Sequence, residues 1–254
     1  MKIAIITGAT GGIGKEFTKL LVQEDVDEVW AVARSEEKLS RLKEEFGLRI
    51  VPISLDLTKT EQIKKIEQRL SETKPVVAFL INNAGLARMG KYDEFAVEEI
   101  ESTIMLNCHA LVSLSTICIP YMERGSRILN ISSASSFQPL PYINLYASTK
   151  VFERNYSRAL HMELKDKGIS VTAVCPSWVD TELLVKEING KKVKFPGIVK
   201  AEPVAQKALR DAKKGKDMSV YSLYVKWLHF LSKVFTQKAL MKTWVKGIRK
   251  YINK

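Results

Sequence analysis

The sequence predicts one α/β domain over residues 1–254, with a doubly wound parallel sheet of about seven strands and helices on both faces. Three observations predict this fold. Short apolar runs recur along the chain, amphipathic helical segments separate them, and a glycine-rich turn follows the first run. The chain has 254 residues, 46% of them hydrophobic, which is enough for a substantial core.

The apolar runs are continuous rather than alternating, which favours parallel strands that are buried on both faces. They cover residues 2–7, 28–33, 50–55, 76–82, 127–132 and 170–175. The first three intervening helical segments cover residues 14–23, 35–46 and 61–70. Right-handed crossovers between such strands place a ligand at the carboxyl ends of the strands, near the point where the strand order reverses.

Charge and cysteine content narrow the function classes. The net charge is +12, but residues 203–254 hold 13 lysines and arginines against two aspartates, so the rest is nearly neutral and nucleic-acid binding is not expected. Cys108, Cys118 and Cys175 are odd in number and lie among apolar residues, which favours free buried thiols in the cytoplasm. The cysteine and histidine spacing predicts no metal site. We also expect no membrane-spanning segment, because no stretch approaches about 18 apolar residues.

The first apolar run leads into the turn Thr7-Gly8-Ala9-Thr10-Gly11-Gly12-Ile13-Gly14. Glycines let this turn bend tightly and approach a pyrophosphate, and the helix that follows offers free N–H groups. We therefore predict a nucleotide site here, with a merely flexible loop as the alternative. A Walker-type ATP site is excluded, because Ala9 and Glu16 stand where that motif needs a glycine and a hydroxyl residue.

The second strand ends at Ala33 and Arg34, where an NAD site usually has an acid for the ribose 2′-hydroxyl. A guanidinium suits a 2′-phosphate, so the sequence favours NADP over NAD, unless Arg34 is simply solvated. Asp56 and Leu57 follow the third strand. Asp56 either bonds the adenine amino group or caps the next helix.

Tyr146 and Lys150 lie one helical turn apart on the same face of a predicted helix. An ammonium there would favour the phenolate, so that Tyr146 could give or take the proton in carbonyl reduction or alcohol oxidation. Tyr146 is the only tyrosine with a lysine four residues later, but about one such pair is expected by chance in a chain of this composition.

The pair becomes significant because it is the last of a series of motifs that occur in a fixed order along the chain. The series is Thr7-Gly8-x3-Gly12-x-Gly14, Asn82-Asn83-Ala84-Gly85, Asn107, Ile131-Ser132-Ser133 and Tyr146-x3-Lys150. With them the chain resembles the short-chain dehydrogenase/reductase family over nearly its first 185 residues. The resemblance implies that Ser133 polarises the substrate oxygen and that Tyr146 is the acid/base. It also implies that Lys150 bonds the nicotinamide ribose and that Asn107 holds a relay water.

The resemblance further implies cofactor contacts from Gly8, Thr10, Gly12, Ile13 and Gly14, from Arg34, Asp56 and Leu57, from Asn83, Ala84 and Gly85, from Tyr146 and Lys150, and from Pro176, Val179 and Thr181. Ser177 departs from the family pattern, which commonly has glycine there, and this puts the local geometry in doubt. Each polar residue has a structural alternative. Ser133 could be turn chemistry, Asn107 could satisfy the backbone, and the Asn82–Gly85 run could be an ordinary loop.

In this family the segment after Thr181, here residues 182–200, closes over the substrate. The expected pocket is largely apolar and is lined by Leu140, Tyr142, Leu145, Trp178, Leu183, Leu184 and Phe195. We therefore predict hydride transfer between NADP(H) and a hydrophobic ketone or secondary alcohol, steroid-like or lipid-derived. The alternatives are a 3-oxoacyl thioester reductase and a non-catalytic NADP-sensing regulator. Members of this family commonly form homodimers or homotetramers, so the resemblance implies one of these states for this chain.

Residues 218–254 combine apolar residues at helical spacing with a basic face. Four interpretations stay open: helices that pack on the core or on a subunit partner, peripheral contact with an anionic membrane, a lid over the site, and a dock for an acidic carrier or phosphorylated substrate.

Overall fold

The computed structural model describes residues 1–182, 184, 187–188, 191–193 and 195–252. Seven parallel strands form its central sheet in the order β3-β2-β1-β4-β5-β6-β9. They are β1 (Lys2–Thr7), β2 (Glu28–Ala33), β3 (Ile50–Ser54), β4 (Val76–Asn82), β5 (Arg127–Ile131), β6 (Ser170–Val174) and β9 (Met218–Ser219). The fold class and its doubly wound order are thus confirmed, and three strands end one residue earlier than predicted.

Helices cover both faces of the sheet because each has one apolar side. One face carries α1 (Gly12–Leu21), α2 (Glu36–Phe46) and α7 (Ala201–Lys213). The other carries α3 (Thr60–Thr73), α5 (Ala110–Cys118) and α6 (Asn144–Glu163). Helix α1 begins at Gly12 rather than at Gly14, so the end of the glycine turn forms the first helical residues. The sheet order reverses between β1 and β4, which puts the ligand crevice at the carboxyl ends of these two strands.

One helical stretch bears on the expectation of no membrane-spanning segment. Helix α4 (Val97–Ile104), a π-helical turn at Met105–His109, α5 and a short 3₁₀ turn run on continuously as Val97–Tyr121. An 18-residue window of this stretch has a mean hydropathy of 1.5, so by length and composition it could cross a membrane, which a count of uninterrupted apolar residues does not reveal. A core helix of a folded domain passes the same test. Asn107 and Leu114 are buried against the protein core, as in a core helix.

The C-terminal residues extend this framework. Beyond β9 lie α8 (Leu223–Val234) and α9 (Gln237–Ile252), and β7 (Glu187–Ile188) pairs with β8 (Lys191–Lys192) in a separate antiparallel ribbon. Asp211 on α7 accepts a hydrogen bond from the Ser219 hydroxyl at 2.8 Å and one from Lys216 at 2.8 Å. This buried carboxylate therefore fixes the last strand, from which the two terminal helices start.

Candidate active site

The glycine turn is built around close backbone approaches. Gly8 and Gly12 have φ values of +63° and +53°, which favour glycine. A Cβ at Gly14 would lie 2.0 Å from the Gly8 carbonyl oxygen, so only glycine fits there. A Cβ on Gly12 would come within 3.0 Å of Thr181 Cγ2. Thr181, predicted to contact the nicotinamide, therefore lies directly against the turn that opens α1.

Asn83 and Thr7 brace this turn from the neighbouring strand end. The Asn83 side-chain amide donates to the carbonyl oxygens of Thr7 and Gly8, both at 3.1 Å. The Thr7 hydroxyl accepts from the backbone N–H groups of Asn83 and Ala84, both at 3.0 Å. Because these bonds join the ends of β1 and β4, the Asn82–Gly85 segment is a structural clamp on the glycine turn rather than an ordinary loop.

Tyr146 and Lys150 lie on the first turns of α6, as the sequence predicts. The Lys150 ammonium nitrogen is 5.4 Å from the centre of the Tyr146 ring. A Cβ on Gly85 would meet Lys150 Nζ at 3.5 Å and Asn107 Oδ1 at 3.3 Å. Gly85 thus provides the space in which both polar side chains reach the carboxyl end of β4.

Lys150 is buried and makes three contacts through its Nζ. It donates to Glu153 Oε1 at 2.8 Å, to Glu153 Oε2 at 2.9 Å and to the Ile131 carbonyl oxygen at 2.8 Å. Burial lowers the pKa of Lys150, but the charge and hydrogen bonds of Glu153, together with Tyr146 and Cys108, outweigh burial and raise that pKa above its usual value. Burial raises the pKa of Glu153 to about 7, against the opposing pull of Lys150.

Asn107 occupies the π-helical turn between α4 and α5, where an extra residue per turn turns its side chain inward. Its Nδ2 donates to the Leu86 carbonyl oxygen at 2.9 Å and to Thr149 Oγ1 at 3.0 Å. Its Oδ1 accepts from the Leu86 N–H at 2.8 Å. Asn107 therefore joins the segment after β4 to helix α6, beside Lys150, and its predicted relay role stays a prediction.

Ser133 follows β5 and caps a 3₁₀ turn at Ala134–Phe137, where its hydroxyl accepts from the Ser135 N–H at 3.1 Å. The predicted turn chemistry is thus present, and the hydroxyl keeps its own proton to donate. The backbone N–H of Ala134 donates to the Pro176 carbonyl oxygen at 2.8 Å, which ties this turn to the end of β6. The structure thus brings the ends of β1, β4, β5 and β6 to one edge of the sheet.

Comparisons with known proteins agree with this arrangement. The model of the family described as short chain dehydrogenase matches residues 2–192. The chain belongs to the short-chain dehydrogenase family. It is therefore an NAD(P)-dependent oxidoreductase that acts on an alcohol or ketone group.

Individual relatives cover nearly the whole chain. The very-long-chain 3-oxoacyl-CoA reductase of Rattus norvegicus is 29% identical over an alignment of 273 positions, gaps included, that spans 97% of this chain and 83% of that protein. A short-chain dehydrogenase from Sphingobium yanoikuyae in complex with NADPH is 27% identical with a TM-score of 0.77, covering 100% of this chain and 97% of its own. The bulky-bulky ketone specific alcohol dehydrogenase from Comamonas testosteroni is 27% identical with a TM-score of 0.75, covering 95% and 94%.

At the adenosine end of this short-chain dehydrogenase, Arg34 is exposed at the end of β2. Asp56 Oδ1 accepts from the Thr58 backbone N–H at 3.0 Å and from the Thr58 hydroxyl at 2.8 Å, so Asp56 forms a turn with Thr58. Asp56 does not cap α3, because the N-cap residue of that helix is Lys59 and has no side-chain hydrogen bond. Partial burial opposes ionisation of Asp56, but these bonds and Arg34 together lower its pKa. The side chain of Leu57 is buried in the core, which leaves only its backbone for a cofactor contact.

The structure describes only some of the residues that were predicted to line the substrate pocket. Trp178 and Phe195 pack at a centroid distance of 5.1 Å, and Leu140 is buried. Leu183 lies outside the described residues, as do Val185, Lys186, Asn189, Gly190 and Lys194 of the closing segment. Trp244, which sequence reasoning placed on the tail only, packs against the buried cluster of Leu140, Ile143 and Ala147, as Tyr146 does. Its indole N–H donates to the Pro141 carbonyl oxygen at 2.9 Å.

Two further features were missed by sequence reasoning. One is Glu153, whose only signal was an acid three residues after Lys150 on the same helix. The other is a buried chain of hydrogen bonds behind it, from Asn82 Nδ2 to Asn130 Oδ1 at 2.9 Å and from Asn130 Nδ2 to Ser157 Oγ at 2.9 Å. The Ser157 hydroxyl in turn donates to the Glu153 carbonyl oxygen at 2.5 Å. This chain connects β4, β5 and α6 beneath the site.

The thiols contribute no nucleophile. Burial raises the pKa of Cys108 to about 11, of Cys118 to about 12 and of Cys175 to about 11. All three are free, and Cys118 and Cys175 are buried. Within the described residues, histidines, cysteines and acids form no group of three or more that could hold a metal ion.

Proposed function

We propose that this protein reduces long-chain 3-oxoacyl thioesters with NADPH. The observation that carries the proposal is that Tyr146 and Trp244 both pack against the buried cluster of Leu140, Ile143 and Ala147, which places an apolar wall beside Tyr146. The rat relative named above as a very-long-chain 3-oxoacyl-CoA reductase supports this choice among hydrophobic carbonyls. A long acyl chain offers the apolar area that such a wall can bury.

The residues of the glycine turn fit a dinucleotide. Gly8, Gly12 and Gly14 would lie against the pyrophosphate at the start of α1, with Thr10 and Ile13 on the same turn. Arg34 would pair with the 2′-phosphate of NADP, and Asp56 and Leu57 would flank the adenine. Ala84, Pro176, Val179 and Thr181 would contact the nicotinamide half. NADPH supplies the hydride when bound.

In this proposal the chain itself handles the proton. The Tyr146 hydroxyl delivers a proton to the carbonyl oxygen of the substrate, while the Ser133 hydroxyl donates a hydrogen bond to the same oxygen. The Lys150 ammonium favours the phenolate that forms, and also bonds the nicotinamide ribose. Asn107 positions the backbone at Leu86 and helix α6 around these groups and carries the relay water.

The test is NADPH consumption across matched carbonyls: 3-oxoacyl-CoA thioesters of long and short chain, bulky aryl ketones and oxosteroids. We expect kcat/KM to be highest for the long-chain thioesters. Bulky ketones are the second candidate, favoured by the likeness to the ketone-specific dehydrogenase of Comamonas testosteroni. A clear preference for them over every thioester would replace the proposed substrate.

Tyr146→Phe tests the acid/base assignment. We expect about a thousandfold lower kcat with NADPH affinity unchanged, because the phenyl ring keeps the packing but lacks the proton. Tyr92→Phe is the matched control, since Tyr92 is 86% exposed. Full activity of Tyr146→Phe on every accepted carbonyl would show that another group supplies the proton.

We also propose that this protein is cytoplasmic and contacts an anionic membrane surface through α8 and α9. Leu223, Trp227, Phe230 and Val234 follow the spacing of one helical stripe and are 56–79% exposed. Val225, on the opposite side of α8, is fully buried. Residues 218–254 hold eight lysines and arginines and no acid, so the charge complements anionic headgroups beside an apolar stripe.

Co-sedimentation with vesicles of phosphatidylcholine and phosphatidylserine checks this contact. We expect salt-sensitive binding of the native chain, and at least tenfold weaker binding of a Trp227→Ser, Phe230→Ser double variant. Leu48→Ser is the matched control, because Leu48 is 91% exposed on a turn elsewhere. Equal binding by native and double-variant chains, or none by either, would remove the membrane from the proposal.

The oligomeric state that we propose is a homodimer or homotetramer. Ile104 on α4 and Phe152 on α6 are 44% and 43% exposed, and Phe152 stacks on Tyr156 at a centroid distance of 6.1 Å. Light scattering of the native chain and of Phe152→Ser checks the proposal. A monomeric native chain at micromolar concentration would contradict it.

A further inference from the structure

The Lys150–Glu153 pair is enclosed by protein. The side chains of Lys150 and Glu153 are 6% and 2% exposed. An ammonium has three N–H donors, and here two meet the carboxylate oxygens while the third meets the Ile131 carbonyl oxygen. One residue, Glu153, therefore satisfies two thirds of the hydrogen-bonding capacity of the lysine that the proposed mechanism requires.

The position of Glu153 is itself fixed. Its main chain accepts the Ser157 hydroxyl, which belongs to the buried chain of Asn130 and Asn82. The Lys150 carbonyl oxygen accepts from the Ser132 hydroxyl at 2.7 Å. Helix α6 is thus fastened to β5 on both sides of the pair, which fixes the backbone from which the Glu153 carboxylate reaches Nζ.

Because the pair is buried, each of its two residues stays charged only if the other carries the opposite charge. A buried lysine that lacks a counter-charge tends to lose its proton, because the low-dielectric interior disfavours the ammonium. The Cys108 and Cys175 thiols also face Glu153, and burial raises the pKa of each to about 11. Both thiols stay neutral near neutral pH, so neither replaces Glu153 as a counter-charge for Lys150. Tyr146 faces the pair from the Lys150 side.

We propose that Glu153 is a positioning residue that keeps the buried Lys150 charged and directed toward Tyr146. This inference rests on the roles proposed above for Tyr146 and Lys150. Because Nζ bonds both carboxylate oxygens of Glu153, it can redirect one N–H to a ribose hydroxyl and still keep its bond to the second oxygen. A neutral Lys150 would no longer stabilise the phenolate that forms as the substrate oxygen is protonated.

Glu153→Gln tests the inference, because the amide keeps the size and one acceptor but removes the charge. We expect the alkaline limb of the kcat/KM–pH profile to move about two units toward lower pH, since Lys150 loses its proton earlier. Below that limb, kcat is expected to stay within about threefold of native. Glu163→Gln is the control, an exposed acid near the end of the same helix.

A second readout needs no turnover. In the cofactor-free chain with lysine carbon-13 labelled at Cε, the chemical shift of Lys150 reports its charge, and Lys150→Arg identifies the signal. We expect Lys150 to titrate at lower pH in Glu153→Gln than in the native chain or in Glu163→Gln. If no tested carbonyl is reduced, the proposed function fails while this titration still tests Glu153.

If Glu153→Gln does not fold, Glu153→Asp serves instead. Its carboxylate is one methylene shorter, and the same shifts are expected in smaller amount. The inference would be overturned if Lys150 titrated at the native pH in the variant and the alkaline limb of the kcat/KM profile did not move. A uniform fall of kcat/KM at every pH would then show that Glu153 only supports the fold.

Discussion

The proposed cofactor end and the proposed substrate end of this molecule are built in different ways. At the cofactor end, neighbouring residues of one turn lie so close that a Cβ at Gly14 would reach 2.0 Å from the Gly8 oxygen. At the substrate end, Trp244 reaches Pro141 across 103 residues of sequence. Local geometry leaves a motif in the sequence, whereas distant packing leaves only apolar residues at helical spacing.

This contrast predicts that substitutions at the cofactor end cause the largest loss of cofactor affinity and stability. Gly14→Ala should lower NADPH affinity more than a hundredfold and reduce the melting temperature, because the turn cannot hold the new Cβ without moving Gly8 and Asn83. Fluorescence titration with NADPH and thermal denaturation measure the two effects. The control is Gly11→Ala, since a Cβ on Gly11 meets nothing within 4 Å. Equal behaviour of both variants would show that the turn is more adaptable than its contacts indicate.

A smaller effect is expected from Arg34 at the same end. Arg34→Ala should weaken NADPH binding about thirtyfold and leave NADH binding unchanged, because only NADPH carries the 2′-phosphate that a guanidinium can bind. Paired titrations with the two cofactors measure this ratio. Arg41→Ala is the control, an exposed arginine on α2 that pairs with Glu37. Parallel losses for both cofactors would mean that Arg34 supports the fold of the strand end instead.

The sequence was informative where chemistry is local. The parallel sheet followed from continuous apolar runs such as β4, and the glycine turn, Tyr146 and Lys150 all lie at the strand and helix ends where the motifs predicted them. Glu153 could not be ranked above Glu163, the other acid on α6, because its importance comes from burial, which spacing does not show. Asn107 was identified, but the π-helical turn that aims it inward has no sequence signal of its own.

At the substrate end, Trp244→Ala is expected to act on substrate selectively. It removes the indole packed on Leu140 and Ile143 and the hydrogen bond to Pro141. The KM for long-chain thioesters should rise about tenfold while short-chain KM and NADPH affinity stay unchanged, since in the proposed function this apolar area would contact only a long acyl chain. Thr243→Ala, an exposed neighbour on α9, is the control. An equal rise for long and short chains would place Trp244 outside the acyl-binding wall.

The smallest effect concerns Asp211, which fixes the strand from which the terminal helices begin. Burial opposes its ionisation, but hydrogen bonds from Lys207, Lys216 and Ser219 prevail and lower its pKa to about 2. A lowered folded-state pKa gives a stabilisation that is complete above the ordinary aspartate pKa and is lost as pH falls toward 2. Asp211→Asn should therefore cost about 1–2 kcal/mol of unfolding free energy at pH 7.

Urea unfolding of native and Asp211→Asn chains between pH 7 and pH 3 measures this difference, which should narrow as pH falls below about 4. Asp217→Asn is the control, because Asp217 forms a more exposed pair with Arg158. A constant difference at every pH would assign the loss to packing rather than to charge. If the Asp211 variant also raises the KM for long-chain substrates, the last strand transmits its position to α9, and the substrate end depends on anchors far from the carbonyl.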